Sequence, residues 1–412
     1  MRNVTKKKPI KIAIIGHVDH GKSTLIGRLL LDTHSLSRDR LAEIKRISKE
    51  LGKDTELAFL TDQLEEEREK NITIDTTQIF FRTRQRDYVI IDTPGHLEFI
   101  KNMITGTSLA EAAILIVDIT EGIQEQTRRH AYLASSLGVE RLVVVFNKMD
   151  LTGYAQDSFI REQNLLSAFL KNMGITAFHI VPVSAKKGDN ISRRSPRLGW
   201  YKGPTLIESI DRIEADVKNR ESVLRFPVQD IYEIEGESVL VGRMLSGTMR
   251  AGQEIAILPG VKKTTIKAIR VFGRLTGRAE RGESIGLILD GSMAVKRGDV
   301  IAEKEYAGPA KNSFRGNIFW MSEMPLELEK KITLRCATQE IEGVAEKIEN
   351  RMDSSSLRII EENARVVRKN EAATVTFRTQ GAIVTEKFSF IKELGRFVIE
   401  RKNCVEGAGV VV

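Results

Sequence analysis

The sequence predicts an α/β domain with a mostly parallel sheet, followed by two antiparallel β-barrel domains. Up to about residue 215, short apolar runs alternate with stretches of helical length, which is typical of a parallel sheet covered on both faces. After about residue 223, short β-rich runs alternate with glycine turns and lack helical periodicity, which favours small barrels. Because 412 residues are too many for one core, we expect domains at 1–220, 221–308 and 309–412.

The first domain is predicted to contain six strands. The run Ala113–Val117 is wholly apolar, which indicates a central strand buried on both sides. The predicted strands are Lys11–Ile15, Ile79–Thr83, Tyr88–Asp92, Ala113–Asp118, Leu142–Asn147 and His179–Pro182. The predicted helices are Lys22–Leu31, Arg38–Lys49, Leu97–Ala110, Glu125–Leu137, Phe159–Met173 and Thr205–Ile213.

Composition narrows the protein class. Hydrophobic residues make up 41% of the chain and charged residues 29%, as in soluble globular proteins, and no apolar run reaches membrane-spanning length. With two cysteines, Cys336 and Cys404, we expect no disulfide framework and a cytoplasmic protein without membrane contact. The net charge of +8 suits contact with RNA or a ribosome, or serves solubility alone.

Residues 16 to 24 carry the strongest motif. They spell a phosphate-binding loop, GxxxxGK(S/T), between a predicted strand and a predicted helix. Lys22 can reach the β- and γ-phosphates, and the Ser23 hydroxyl can coordinate Mg²⁺. The predicted nucleotide contacts in this loop are Gly16, His17, Val18, Asp19, His20, Gly21, Lys22, Ser23 and Thr24.

Two further segments suit a nucleotide with a terminal phosphate. Asp92 ends a predicted strand and can hold Mg²⁺ through a water, as a Walker-B aspartate does, while the Gly95 N–H is placed to contact a γ-phosphate. Thr73 supplies a hydroxyl that can complete the Mg²⁺ coordination. The sequence therefore predicts a metal site formed by Ser23, Thr73 and Asp92.

Base selectivity is predicted from two more strand ends. Asn147, Lys148 and Asp150 form an NKxD motif, whose carboxylate can accept hydrogen bonds from the N1–H and the 2-amino group of guanine. Adenine lacks that pair of donors, so the motif favours GTP over ATP. Ser184, Ala185 and Lys186 can close on the guanine 6-oxygen with backbone N–H groups. The expected ligands are GTP and Mg²⁺.

The candidate catalytic residues are His96 and Lys22. His96 follows Pro94 and Gly95 in the loop that would sense the γ-phosphate, where an imidazole could orient the attacking water. The alternative is an ordinary loop histidine, the commoner role for a histidine after a glycine.

This set of motifs resembles the translation-factor-like GTPases of the elongation factor Tu/1-alpha class, over nearly the whole chain. The resemblance implies a P-loop GTPase domain followed by two β-barrels. Several segments also resemble the GTPase (large) subunit of bacterial ATP sulfurylase. These segments are Ser23–Leu30, Glu67–Asp75, Gln126–His130, Ile318–Met321, Gly395–Ile399 and Gly407–Gly409.

The sulfurylase resemblance implies a GTPase that hydrolyses GTP to drive a small catalytic subunit, which joins ATP and sulfate into adenylyl sulfate and pyrophosphate in sulfate assimilation. We take this as the leading hypothesis. The alternative is a translational GTPase that binds aminoacyl-tRNA or the ribosome, and Val18 to Lys22 are indeed as in elongation factors. A GTPase of the same architecture with another client is the third hypothesis.

Overall fold

A computed structural model of the chain describes most of both halves of the protein. The described residues are 9–36, 77–93, 110–139, 141–173, 175–213, 223–271, 274–291, 293–306 and 310–412. They fall into two compact units, divided near residue 217. The first unit contains the α/β domain, and the second contains the two barrels.

The α/β domain is built on a six-stranded sheet with the order β2-β3-β1-β4-β5-β6. Neighbouring strands are parallel except at the edge, where β2 runs antiparallel to β3. The central strands are buried along their length because apolar side chains alternate onto two covered faces. The strands are β1 (Ile10–Gly16), β2 (Thr77–Arg82), β3 (Asp87–Asp92), β4 (Ala112–Asp118), β5 (Arg141–Asn147) and β6 (His179–Pro182).

Helices of this domain cover the sheet close to where the sequence places them. They are α1 (Lys22–Asp32), α2 (Glu125–Ser136), α3 (Gln156–Asn172) and α4 (Leu206–Asp211). The prediction for α3 started at Phe159, because the polar first turn before it carries no apolar signal. The last helix is shorter than predicted at both ends, because Thr205 is its N-cap, in a capping box with Glu208, and Arg212 is its C-cap. The predicted helix Arg38–Lys49, and Leu97–Ala110 up to residue 109, lie outside the described residues.

The first barrel closes through six strands, since β10 pairs with β11 as well as with β15. Its apolar core includes Phe226, Leu240, Met249, Ile257 and Leu287. The strands of this region are β7 (Arg225–Ile234), β8 (Glu237–Arg243), β9 (Thr248–Arg250), β10 (Glu254–Leu258), β11 (Lys262–Val271), β12 (Arg274–Thr276), β13 (Arg278–Glu280), β14 (Ser284–Leu289) and β15 (Val300–Glu303).

The second barrel closes in the same way, because β18 pairs with both β19 and β23. Trp320, Phe377 and Phe397 lie in its core. The elements are β16 (Lys311–Trp320), β17 (Leu326–Glu327), β18 (Lys331–Cys336), β19 (Gln339–Asp353), β20 (Ile359–Glu362), β21 (Val366–Val367), β22 (Glu371–Ile383), α5 (Lys392–Gly395), β23 (Arg396–Arg401) and β24 (Cys404–Val411).

The two barrels are joined by a small apolar cluster and a buried ion pair. The cluster consists of Leu258, Val300, Ala302, Val384, Ile391 and Leu394. Beside it, Arg225 donates from Nε to Oε1 of Glu386 at 2.9 Å and from Nη1 to the Leu224 carbonyl at 2.9 Å. Because the Arg225 side chain is 4% exposed, water screens its charge little, and the Glu386 carboxylate supplies the counter-charge.

The predicted fold class, an α/β domain followed by two antiparallel barrels, is confirmed. Its proposed boundaries at residues 220 and 308 lie outside the described residues and stay predictions. In the part of the chain that the structure describes, helices that combine the length and the apolarity needed to cross a bilayer are not found.

Replacing Glu386 by alanine is expected to destabilise the joined barrels. The substitution leaves the Arg225 guanidinium buried without its counter-charge, which typically costs about 3 kcal/mol. Calorimetric unfolding of the full chain measures the effect as a lowered transition temperature. The control is Glu329→Ala, which breaks the exposed Arg378–Glu329 pair and should cost less than about 1 kcal/mol. Equal shifts in the two variants would contradict the prediction.

Candidate nucleotide-binding site

The phosphate loop connects β1 to α1 at the carboxyl edge of the sheet. Two of its glycines have positive φ, 152° at Gly16 and 93° at Gly21. A Cβ at Gly16 would lie 2.5 Å from the Ile116 carbonyl oxygen, and one at Gly21 would lie 2.5 Å from Asn147 Nδ2. Only glycine fits at either position, and the loop therefore lies directly against the ends of β4 and β5.

Helix α1 begins at the end of this loop. Its first intrahelical bond joins the Leu25 N–H to the Gly21 carbonyl at 2.9 Å. The N–H groups of Lys22, Ser23 and Thr24 precede that bond, so they have no partner inside the helix. They form, with the positive end of the helix, an anion-binding arrangement of the kind that holds phosphates.

Lys22 folds back over the loop. Its Nζ donates to the carbonyls of Gly16 at 3.0 Å and His17 at 2.9 Å. Burial lowers its pKa to about 8, although the carboxylates of Asp92 and Asp19 act in the opposite direction. A phosphate bound in the loop would supply the counter-charge that restores a fully protonated ammonium.

Asp92 lies at the end of β3, beside the loop. Strand β3 pairs in parallel with β1, in the register Ile14 to Asp92, and Thr93 donates from its hydroxyl to the Ile14 carbonyl at 2.5 Å. Asp92 is buried and directly precedes Thr93, so this hydrogen bond holds its backbone next to β1. A carboxylate here and the Ser23 hydroxyl are the oxygen ligands that Mg²⁺ prefers. The residues present therefore fit the ion.

Asn147 connects the phosphate loop to residues 184–186, the segment predicted to close on guanine and here called the base loop. Its Nδ2 donates to the His20 carbonyl at 2.9 Å, and its Oδ1 accepts from the Ala185 N–H at 2.9 Å. One of the N–H groups expected to face guanine is thus engaged by the protein. Among the residues that the structure describes, the Lys186 N–H has no partner, which leaves it available for the base.

Lys148 and Asp150 flank this arrangement. Asp150 accepts from the Ser184 hydroxyl at 2.6 Å, which orients its carboxylate and joins it to the base loop. The Lys148 ammonium lies 2.6 Å from the carboxylate of Asp118, a buried residue at the end of β4. Burial would raise the pKa of Asp118, but hydrogen bonds from Lys148 and Thr120 outweigh it and lower the pKa.

The phosphate loop itself contains two histidines, His17 and His20. The His20 ring is buried, with Nδ1 3.3 Å from the Ile116 carbonyl and Nε2 3.3 Å from Glu121. Burial lowers its pKa, so the ring is held neutral near physiological pH. His17 contacts Gln126 and meets the His20 ring edge-on, with 5.1 Å between the ring centroids.

The structure thus brings together the predicted residues of the loop, the NKxD motif and the base loop, with Asp92 beside them. Thr73, Gly95 and His96 lie outside the described residues. Sequence reasoning missed Asp118 and Arg28. Asp118 could have been found by the rule applied to Asp92 and Asn147, since it is a polar residue at the end of a buried strand. For Arg28 the sequence offers no local signal.

Family comparisons agree with this site and with the barrels. The chain matches the family described as Elongation factor Tu GTP binding domain over residues 7–217. It matches Elongation factor Tu domain 2 over residues 238–302 and GTP-eEF1A C-terminal domain-like over residues 313–412. The three matches follow one another along the chain in the order of the predicted domains.

Full-length relatives point the same way. Elongation factor 1-alpha of Thermococcus gammatolerans is 36% identical over 424 residues, covering 99% of this chain and 99% of that protein. The Aeropyrum pernix protein of the same name is 35% identical, covering 99% and 97%. That of Methanocaldococcus jannaschii is 36% identical, covering 99% and 98%.

The leading sequence hypothesis, a subunit of ATP sulfurylase with a small catalytic partner, is wrong. The full-length relatives are elongation factors 1-alpha, and they favour the alternative. The segments that suggested a sulfurylase contain core positions. Leu25 and Leu29 are buried in α1, and Trp320 is buried in β16 against Gly407, where a Cβ would lie 2.7 Å from its ring. Residue types at such positions are set by the packing of α1 and β16 and carry no information on the client.

The ligands predicted from the sequence, GTP and Mg²⁺, are those of the matched family. The residues that form the site lie within the part of the chain that matches the GTP binding domain, residues 7–217. This chain belongs to the elongation factor Tu/1-alpha family of GTP-binding proteins, and it is a GTP hydrolase.

Proposed function

We propose that the chain is a translational GTPase that binds aminoacyl-tRNA in its GTP-bound state and delivers it to the ribosome in the cytoplasm. The observation that carries this proposal is the likeness to elongation factor 1-alpha over 99% of the chain, through both barrels. A match confined to the nucleotide domain would have supported GTP hydrolysis alone.

Charge supports a nucleic-acid partner. The net charge of +8 and the pI of about 9.3 favour association with a polyanion. Hydrolysis would then separate an RNA-binding state from a releasing state, because loops that contact the γ-phosphate lose that contact when it leaves. We assign this sensing role to the loops that contain Thr73 and Gly95.

We assign most of the chemistry of hydrolysis to the phosphate loop, the bound Mg²⁺ and the loop that contains His96. The loop N–H groups and Lys22 would contact the phosphates and stabilise the charge that develops on the phosphoryl oxygens as water attacks in line. Bound Mg²⁺, held by Ser23, Asp92 and Thr73, would neutralise further charge. Asn147, Asp150 and the base loop hold the nucleotide by its guanine. We assign the orientation of the attacking water to His96.

Replacing His96 by alanine should separate binding from turnover. Since the ring would act only on the attacking water, the affinities for GDP and GTP should stay within about twofold of wild type. Ribosome-stimulated turnover should fall by about 100-fold or more. Single-turnover hydrolysis on ribosomes measures the effect, with the exposed His34→Asn as the control variant. Stimulated turnover near the wild-type rate would remove His96 from the mechanism.

Lys22 should take up a proton when nucleotide binds. Its pKa of about 8 in the nucleotide-free site means that Lys22 is mostly neutral about one pH unit above this value and mostly charged about one unit below it. Bound phosphates raise the pKa. At the higher pH, nucleotide binding should therefore take up close to one proton, and at the lower pH it should take up almost none. Calorimetry of GDP binding in buffers of different ionisation enthalpy measures the uptake. Lys22→Arg, which stays charged, should abolish it, and uptake that persists in this variant would contradict the assignment.

The proposed client can be tested with purified protein and tRNA. Aminoacyl-tRNA should be retained by the protein loaded with a non-hydrolysable GTP analogue and released from the GDP form, as measured by protection of the aminoacyl ester from hydrolysis. Deacylated tRNA is the control ligand and should not be retained in either state. Equal protection in both nucleotide states, or none in either, would contradict a tRNA-carrying role while leaving GTP hydrolysis intact.

A further inference from the structure

Arg28 links the helix of the phosphate loop to the base loop. It lies six residues after Lys22 on α1, and its side chain is 19% exposed. Nε donates to the Ala185 carbonyl at 3.0 Å, and Nη2 donates to the Lys186 carbonyl at 2.7 Å. The planar guanidinium therefore holds two consecutive carbonyls of the loop expected to close on guanine.

The geometry of the peptide bond gives these contacts a consequence for the nucleotide. The Ala185 carbonyl and the Lys186 N–H belong to one planar, trans peptide unit, so they point in opposite directions. Fixing the carbonyl on Arg28 thus fixes the direction of the Lys186 N–H. Donation to a carbonyl also polarises the amide at the other end of the same unit, which strengthens it as a donor.

Asn147 fixes the preceding peptide unit in the same way. Its Oδ1 accepts the Ala185 N–H, so that amide is not the one presented to a ligand. Gly188 lies close on the far side of the loop, where an added Cβ would come within 3.4 Å of Arg28 Nη1. The base loop is consequently held from β5 by an amide and from α1 by a guanidinium, and the Lys186 N–H remains as the oriented donor.

We propose that Arg28 is a positioning residue for guanine recognition, which aims the Lys186 N–H at the 6-oxygen of the base. The inference rests on the binding of guanine nucleotides by this site and not on the identity of the client RNA. Arg28 also lies 3.8 Å from Asp32, but that carboxylate has a second partner in the Ser192 hydroxyl at 2.6 Å, so it remains satisfied without Arg28.

The test is the affinity of the full chain for three nucleotides in Arg28→Met, which keeps the length of the side chain and removes its donors. GDP and inosine diphosphate both have a 6-oxygen, whereas 2-aminopurine riboside diphosphate lacks it. The affinities for GDP and inosine diphosphate should fall by the same factor, about tenfold for one misdirected hydrogen bond. The affinity for the 2-aminopurine nucleotide should change less than about twofold.

Two further measurements separate positioning from a general structural role. The KM for GTP should rise in Arg28→Met while turnover at saturating GTP is retained, and Arg28→Lys, which keeps the charge and restores one donor, should recover part of the affinity. The matched control is Arg86→Met, which removes a donor to the Ile213 carbonyl, a contact made by neither the phosphate loop nor the base loop. It should leave all three affinities unchanged.

Asp150→Asn provides the contrasting pattern. Because Asp150 is expected to accept from the 2-amino group, its loss should weaken GDP more than inosine diphosphate, unlike the loss of Arg28. Equal weakening of all three nucleotides in Arg28→Met would overturn the proposal in favour of a role in folding, as would unchanged affinity for GDP. If wild-type protein bound GDP no better than the 2-aminopurine nucleotide, recognition through the 6-oxygen would itself be refuted.

Discussion

The arrangement of the nucleotide site depends on one buried amide, that of Asn147. Two loops without regular structure meet at the end of β5, and the Asn147 side chain bonds to the His20 carbonyl of one and to the Ala185 N–H of the other. An amide is the only short side chain that offers a donor and an acceptor with this separation. It also explains why Gly21 must be glycine, since a Cβ there would collide with the same Nδ2.

Buried charge is concentrated at the same edge of the sheet. Lys22 is folded onto backbone carbonyls, and Lys148 is paired with Asp118 at the end of the neighbouring strand. Burying a charged group is costly unless it has partners, and here the partners are backbone carbonyls for Lys22 and the part-exposed Lys148 ammonium for Asp118. A parallel sheet makes this possible because its strands all deliver their carboxyl ends to one side. The charges that function requires are therefore stabilised by the same geometry that creates the pocket.

The nucleotide of this GTPase can be predicted from short sequence motifs, whereas its client cannot. Motifs that bind phosphate and guanine are short and lie at strand ends, so a single sequence reveals them. Segments such as Ser23–Leu30 and Ile318–Met321 suggested a sulfurylase, yet they contain side chains buried in α1 and β16. Residue types at buried positions are set by packing within the fold, so they do not identify the client. Similarity over the full length, including the barrels, corrected the assignment.

The sequence by itself determined the fold class and the nucleotide class. The apolar run of β4 predicts a strand that is buried on both faces, and the glycine turns after residue 223 predict short barrel strands. The loops that follow the strands of the first domain contain the phosphate-binding and guanine-binding motifs. Tertiary structure alone decided that Asn147 occupies the Ala185 N–H, that Asp118 pairs with Lys148, and that Arg28 holds a loop 157 residues away. Those contacts depend on the order of strands in the sheet, and long-range pairing leaves no periodic signal in the chain.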